Sequence, residues 1–245
     1  MDTPLPLPFL IIKLGDTLEG LRIGRGDFDR WIADGLGAPA VPVQVCDPRR
    51  GDALPAHRSI AGAVVTGSHA MVTHRADWSE RTAQWLAEGV ASGTPLLGIC
   101  YGHQLLAHAM GGVVDDHPQG LEIGSIDVTL APAATGDPLF CGMPGRFRAH
   151  AVHRQTALRL PAGAVVLASN AHEPHHAFRI GGCAWGVQFH PEFDAEAMRG
   201  YIDALATNPA PLRAAVADTP AAAGLLGRFA RWAEAHAPAH TMETT

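Results

Sequence analysis

Nothing in the 245-residue sequence stays apolar for the roughly 18 to 20 residues that a bilayer span requires, so no membrane association is expected. Met1 to Pro8 is rich in proline and carries Asp2 where a secretory leader would carry basic residues. Cysteine is scarce and scattered. Cys46, Cys100, Cys141 and Cys183 form no CxxC pair, which speaks against a structural zinc site or a thioredoxin-like redox motif. A reducing compartment, the cytosol, is the simplest reading. Positive charge is short as well: Lys and Arg number 18 against 24 Asp and Glu. Nucleic-acid binding rests on clustered cations that neutralise phosphates, so the net charge of -6 excludes a nucleic-acid partner from expectation. No internal repeat or low-complexity linker is present. Gly24 and Gly26 lack a third glycine and a preceding strand, so no nucleotide site and no cofactor are expected.

What is present reads as one α/β domain. Hydrophobic residues at 47% and charged residues at 17% are ordinary globular usage, and a chain of this length buries enough apolar surface to fold without staples. Phe9 to Leu14, Val41 to Cys46, Ile60 to Thr66 and Pro95 to Ile99 are short apolar runs closed by turn residues, and they predict buried strands. Helices are predicted over Leu18 to Leu36, Ser79 to Ala91 and Gln104 to Met110. Strands alternating with helices imply a mostly parallel sheet flanked by helices, with ligands bound beyond the carboxyl ends of its strands. Ile126 to Leu130, Ala164 to Ser169, Ala177 to Ile180 and Ala184 to Phe189 leave no room for helices between them, so a smaller antiparallel portion is expected there. A helix is predicted over Asp194 to Ala206. Pro211 to Ala237 reads as a helical C-terminal extension, which divides the chain into a domain over 1–206 and an extension over 207–245. Thr241 to Thr245 is expected to fray.

One cysteine stands apart from the other three. Gly98 and Gly102 flank Cys100 where a predicted strand turns sharply into a predicted helix, and a nucleophile on such a turn needs neighbours that do not crowd it. A helix N-terminus favours thiolate, the reactive form, and the backbone N–H of Tyr101 is positioned to donate to a growing oxyanion. Cys46, Cys141 and Cys183 lack such surroundings and read as structural. A cysteine nucleophile needs a histidine in reach. Of fourteen histidines, His190 is the best candidate, because it closes the run Trp185 to Phe189 and precedes Pro191. Glu192, two residues on, is able to hold its imidazole in one tautomer, the role of a third triad member.

Gly98-Ile99-Cys100-Tyr101-Gly102-His103-Gln104 resembles the nucleophile motif of class I glutamine amidotransferases, and Gly186-Val187-Gln188-Phe189-His190-Pro191-Glu192 resembles their His/Glu motif. The resemblance runs from the first strand to about Ala206 and is closest to stand-alone relatives of the GMP synthase glutaminase domain. It implies that Cys100 forms a γ-glutamyl thioester, that His190 passes a proton to departing ammonia, that Glu192 orients His190, and that Gln104 binds glutamine. Thr66-Gly67-Ser68 falls at the family's oxyanion turn, so Gly67 is expected to supply a backbone N–H, with Ser68 standing where a second glycine or proline is commoner. Leu121 to Gly124 resembles a segment that borders the substrate pocket. Val152-His153-Arg154-Gln155 occupies the family's Ser-His segment, whose backbone contacts the substrate's amino-acid group. Val152 and Arg154 replace residues that are usually small, which leaves the γ-glutamyl donor open.

Other features carry less. His172-Glu173-Pro174-His175-His176 has the residue types of a zinc site, but Pro174 breaks the spacing and the segment suits a turn between strands, so no metal is expected. His69, His74 and His103 are expected near the mouth of the site and His108 packed on a helix, while Arg25-Gly26-Asp27 is read as a chance tripeptide. Three functions remain open: a glutaminase that releases ammonia into water or to a separate synthetase subunit, a γ-glutamyl amide or peptide hydrolase, and a non-catalytic regulatory protein. No ATP-binding or acceptor domain fits in the residues after Ala206, so a synthetase partner would be another polypeptide.

Overall fold

A computed structural model describes residues 7–37 and 39–236. In chain order the elements are β1 (Phe9–Ile12), α1 (Glu19–Arg25), α2 (Phe28–Leu36), β2 (Val43–Cys46), β3 (Gly62–Val65), α3 (Asp77–Ser92), β4 (Leu96–Ile99), α4 (Tyr101–Ala109), β5 (Val113–Asp116), β6 (Glu122–Leu130), β7 (Arg146–His153), β8 (Gln155–Arg159), β9 (Val165–Ser169), β10 (Ala177–Ile180), β11 (Ala184–Val187), α5 (Ala195–Leu205), α6 (Pro209–Ala214) and α7 (Pro220–His236). Nine strands form one sheet in the order β2-β1-β3-β4-β11-β10-β9-β6-β7, and β5 pairs with β8 in a separate ribbon.

The pairings from β2 through β11 are parallel and those from β11 through β7 antiparallel. Every residue of β1, β3, β4 and β11 is buried, because helices cover both faces of this half. That is why these strands are continuous apolar runs in the sequence rather than alternating ones. β4 lies between β3 and β11 in register Ala63↔Leu96 and Val187↔Ile99, so the carboxyl ends of these three strands open at one edge.

The helix expected over Leu18 to Leu36 is two helices. Gly26 takes φ 82° and ends α1, and the Asp27 carboxylate caps α2 by accepting from Phe28 N at 2.8 Å. The same carboxylate accepts from Thr17 N at 2.7 Å and from Lys13, the single lysine of the sequence, at 2.9 Å. The break therefore anchors the loop after β1. Three strands, β5, β7 and β8, were not expected from the sequence. β7 reads RFRAHAVH, and its inward-facing polar residues mask the alternation that marks a strand.

The segment after Ala206 holds α6 and α7, within the stretch expected to be a helical extension. Leu225, Leu226 and Phe229 of α7 lie in the same core as Phe9, Val64, Leu97 and Trp185. Thr241 to Thr245 lies outside the described residues. Among those described, no helix is long and apolar enough to cross a membrane.

Candidate active site

Cys100 is the residue between β4 and α4, and its backbone sits at φ 49°, ψ -99°. A non-glycine residue in this region is strained by about 1–3 kcal/mol and persists only where its surroundings enforce it. The surroundings are visible. Its N–H donates to Val187 O at 2.8 Å and its carbonyl accepts from Gln104 N at 3.0 Å, which ties the turn to β11 on one side and to α4 on the other. A methyl on Gly98 would lie 2.4 Å from Gly102 O, and one on Gly102 would lie 2.6 Å from Val65 O. Both glycines are thus required by close backbone approach across β3, β4 and α4. The Cys100 Sγ–H points to Val152 O at 3.7 Å.

β11 delivers His190. Its N–H donates to His150 O at 2.7 Å, and its Nδ1 lies 2.7 Å from Glu192 Oε1. A carboxylate only accepts, so Nδ1 carries the hydrogen, and Nε2 is buried with no hydrogen-bond partner among the described residues. Phe193 stacks on the ring at 4.1 Å. Burial opposes a charge on His190, but the Glu192 carboxylate and Cys100 outweigh it and carry the pKa up to about 10. Gly67 closes the third side, since a methyl there would lie 3.2 Å from His190 Cε1 and 3.8 Å from Cys100 Cβ. Cys100, His190, Glu192 and the Gly67 turn are therefore assembled at one edge of the sheet, with Tyr101 opening α4 beside them.

A cleft of about 190 Å³ leads to Cys100 and is lined by Ser68, His69, Met71, Gln104 and residues 152 to 155, with Leu18, Leu121 and Leu205 at its sides. Arg154 is its only Lys, Arg, Asp or Glu side chain. Gln104 lines the cleft, but its amide is already committed, donating to Gln155 O at 2.7 Å and Gln188 Oε1 at 3.0 Å. His153 turns its ring away from the cleft: Nε2 meets Glu122 Oε2 at 2.9 Å and Nδ1 meets Gln155 O at 3.0 Å. Ser68 Oγ accepts from Ala70 N at 3.1 Å and so shapes its own turn. Of the histidines expected at the mouth, His69 lines the cleft, while His74 is exposed in a short turn. His103 is a correction. It faces the sheet, fully buried against Phe178 and Gly186, and burial pulls its pKa down to about 3. Its place on α4, one turn after Cys100, aims it inward.

The cleft wall is supported by contacts between segments distant in sequence. Buried Glu122 gathers His153, His176 at 3.2 Å and Asn170 at 2.7 Å. Burial works against its charge, and these donors still hold the carboxyl well below its ordinary range. Glu173, inside the His-rich segment, accepts from Thr156 and from His175 N. The segment thus joins β9 and β10 as a buttress behind residues 152 to 155.

Residues 28–203 match the family Glutamine amidotransferase class-I. The chain belongs to the class I glutamine amidotransferases. Among proteins similar to this amidotransferase is the GMP synthase [glutamine-hydrolyzing] of Aeropyrum pernix, 37% identical over 158 residues, covering 64% of this chain and 28% of the relative. Another is the gamma-glutamyl-L-1-hydroxyisopropylamide hydrolase of a Pseudomonas species, 31% identical over 152 residues, covering 58% of this chain and 50% of the relative. The matched part is thus under a third of the first relative and half of the second. The crystal structure of a glutamine amidotransferase from Thermotoga maritima has the same fold, with a TM-score of 0.73 over 93% of this chain and 98% of that one at 23% identity.

Proposed function

We propose that this class I amidotransferase hydrolyses a glutamine-type γ-carboxamide through Cys100, His190 and Glu192. Cys100 gives its thiol proton to His190 Nε2 as its sulfur attacks the γ-carbonyl carbon, and the electron pair moves onto the carbonyl oxygen, where N–H groups of the Gly67 turn and of Tyr101 receive it. Collapse of that adduct breaks the C–N bond, and His190 hands its proton to the leaving nitrogen, which departs as ammonia. The γ-glutamyl thioester then takes a water molecule, His190 accepts a proton from it, and glutamate leaves as Cys100 is restored. Glu192 keeps Nδ1 protonated, so that Nε2 does the transfers. Arg154 and the backbone of His153 bind the amino-acid end, and Gln104 holds the wall against which it rests.

The observation that carries this reading is His190 held at 2.7 Å by Glu192 beside a cysteine in strained backbone geometry at a helix start. A pseudoenzyme has no physical need for that combination. Its cytosolic setting and the boundary between residues 206 and 207 are part of the same proposal, as is a separate synthetase subunit as ammonia acceptor, which the likeness to GMP synthase supports. A second reading, a hydrolase of other γ-glutamyl amides, is favoured by the Pseudomonas relative and by Val152 and Arg154 at the cleft. Glutamate release from glutamine and from a panel of γ-glutamyl amides, by wild type and by Cys100→Ala, decides among them. Turnover abolished by the substitution supports the triad and names the donor, whereas turnover that survives it refutes Cys100 as nucleophile.

A further inference from the structure

The turn after β3 holds a side chain that the mechanism above does not use. Thr66 is fully buried at the end of β3, and its hydroxyl accepts from Leu14 N at 2.9 Å and donates to Gly67 O at 2.8 Å. Both partners have one role only, an amide N–H that donates and a carbonyl that accepts, so the hydroxyl hydrogen has a single place to go. Its bond fixes the direction of the Gly67 carbonyl. Because the peptide is trans, the Ser68 N–H points the opposite way. Gly15 seals the carbonyl side, since a methyl on it would lie 2.8 Å from Gly67 O and 2.6 Å from Ser68 Cα. In a trans peptide the Ser68 N–H lies on the same side as the Gly67 Cα, and a methyl on that Cα would lie 3.2 Å from His190 Cε1 and 3.8 Å from Cys100 Cβ.

We infer that Thr66 is a positioning residue that selects the orientation of the Gly67–Ser68 peptide and thereby presents the Ser68 N–H as the oxyanion donor of this turn. Gly67 has no side chain to resist a peptide flip, and a flipped peptide would turn a carbonyl oxygen toward the developing negative charge. The hydroxyl of Thr66, tied to the end of β1, holds the productive state. The inference rests on the proposed amide hydrolysis, and its test separates the two.

Thr66→Val keeps the shape and removes the hydroxyl, while Thr66→Ser keeps the hydroxyl. Loss of one oxyanion donor costs about 10²- to 10³-fold in kcat. Thr66→Val is expected to lose that much with KM and the rate of Cys100 alkylation by iodoacetamide unchanged, and Thr66→Ser to recover most of it. A Thr66→Val enzyme within threefold of wild-type kcat, or one whose alkylation falls in parallel with kcat, overturns the inference while leaving the triad intact. A crystal structure of Thr66→Val supplies a readout that needs no turnover. A Gly67–Ser68 peptide that flips or populates two orientations supports the assignment, and an unchanged peptide contradicts it.

Discussion

At the scale of single residues, electrostatics around His190 make a prediction with a definite sign. Glu192 is the largest influence that raises its pKa to about 10. A raised histidine pKa contributes stability that is full below the unfolded value, about 6.5, and is lost as pH rises toward 10. In the proposed mechanism the same proton serves the leaving nitrogen, so activity is expected to fall on the alkaline side as His190 loses it. Glu192→Gln is expected to move the alkaline limb of the kcat/KM profile to lower pH, and a limb left in place would show that Glu192 does not set the charge on His190. Glu122 has the opposite sense: its carboxyl is held below the ordinary range, so its contribution is full above about pH 4.5 and is lost as pH falls. The proposed triad of Cys100, His190 and Glu192 was legible because each residue sits in a short contiguous motif. The environments of His103 and His153 were not, since their partners Phe178, Gly186 and Glu122 are distant in sequence and join them only through the sheet.

At the scale of elements, the buried parallel strands were readable because burial on both faces leaves unbroken apolar runs. β7 was not, because His150 and His153 face inward to polar partners, Ser125 and Glu122, rather than to an apolar core. The break at Gly26-Asp27 is likewise not legible in the sequence, since it depends on the Asp27 carboxylate reaching Thr17 and Lys13 as well as capping α2. α7 gives this scale its prediction. Leu225, Leu226 and Phe229 are fully buried in the core that also contains Phe9 and Trp185. Full burial of one such side chain contributes about 1.5–3 kcal/mol, so losing the helix removes a large share of the 5–15 kcal/mol that typically holds a domain folded. A chain ended at Ala206 is expected to show no cooperative thermal unfolding transition. A sharp transition in that truncated chain would show that 207–245 is dispensable.

At the scale of the whole molecule, a mixed sheet brings four distant segments together: the Gly67 turn at the end of β3, Cys100 between β4 and α4, His190 beyond β11, and the cleft wall at β7 and β8. The antiparallel half contributes no proposed catalytic side chain. It fixes His190, through the carbonyl of His150, and the wall, through Glu122. The proposed chemistry needs only sulfur, imidazole and backbone N–H groups. The covalent intermediate is the claim on which everything else depends. Rapid acid quench of the wild-type enzyme during turnover of its best γ-glutamyl amide, followed by peptide mass spectrometry, should find a γ-glutamyl adduct on Cys100 that builds up before glutamate and is absent from Cys100→Ala. Steady turnover with an adduct on a different residue, or with label from water entering glutamate while no adduct forms on Cys100 at any quench time, would contradict it.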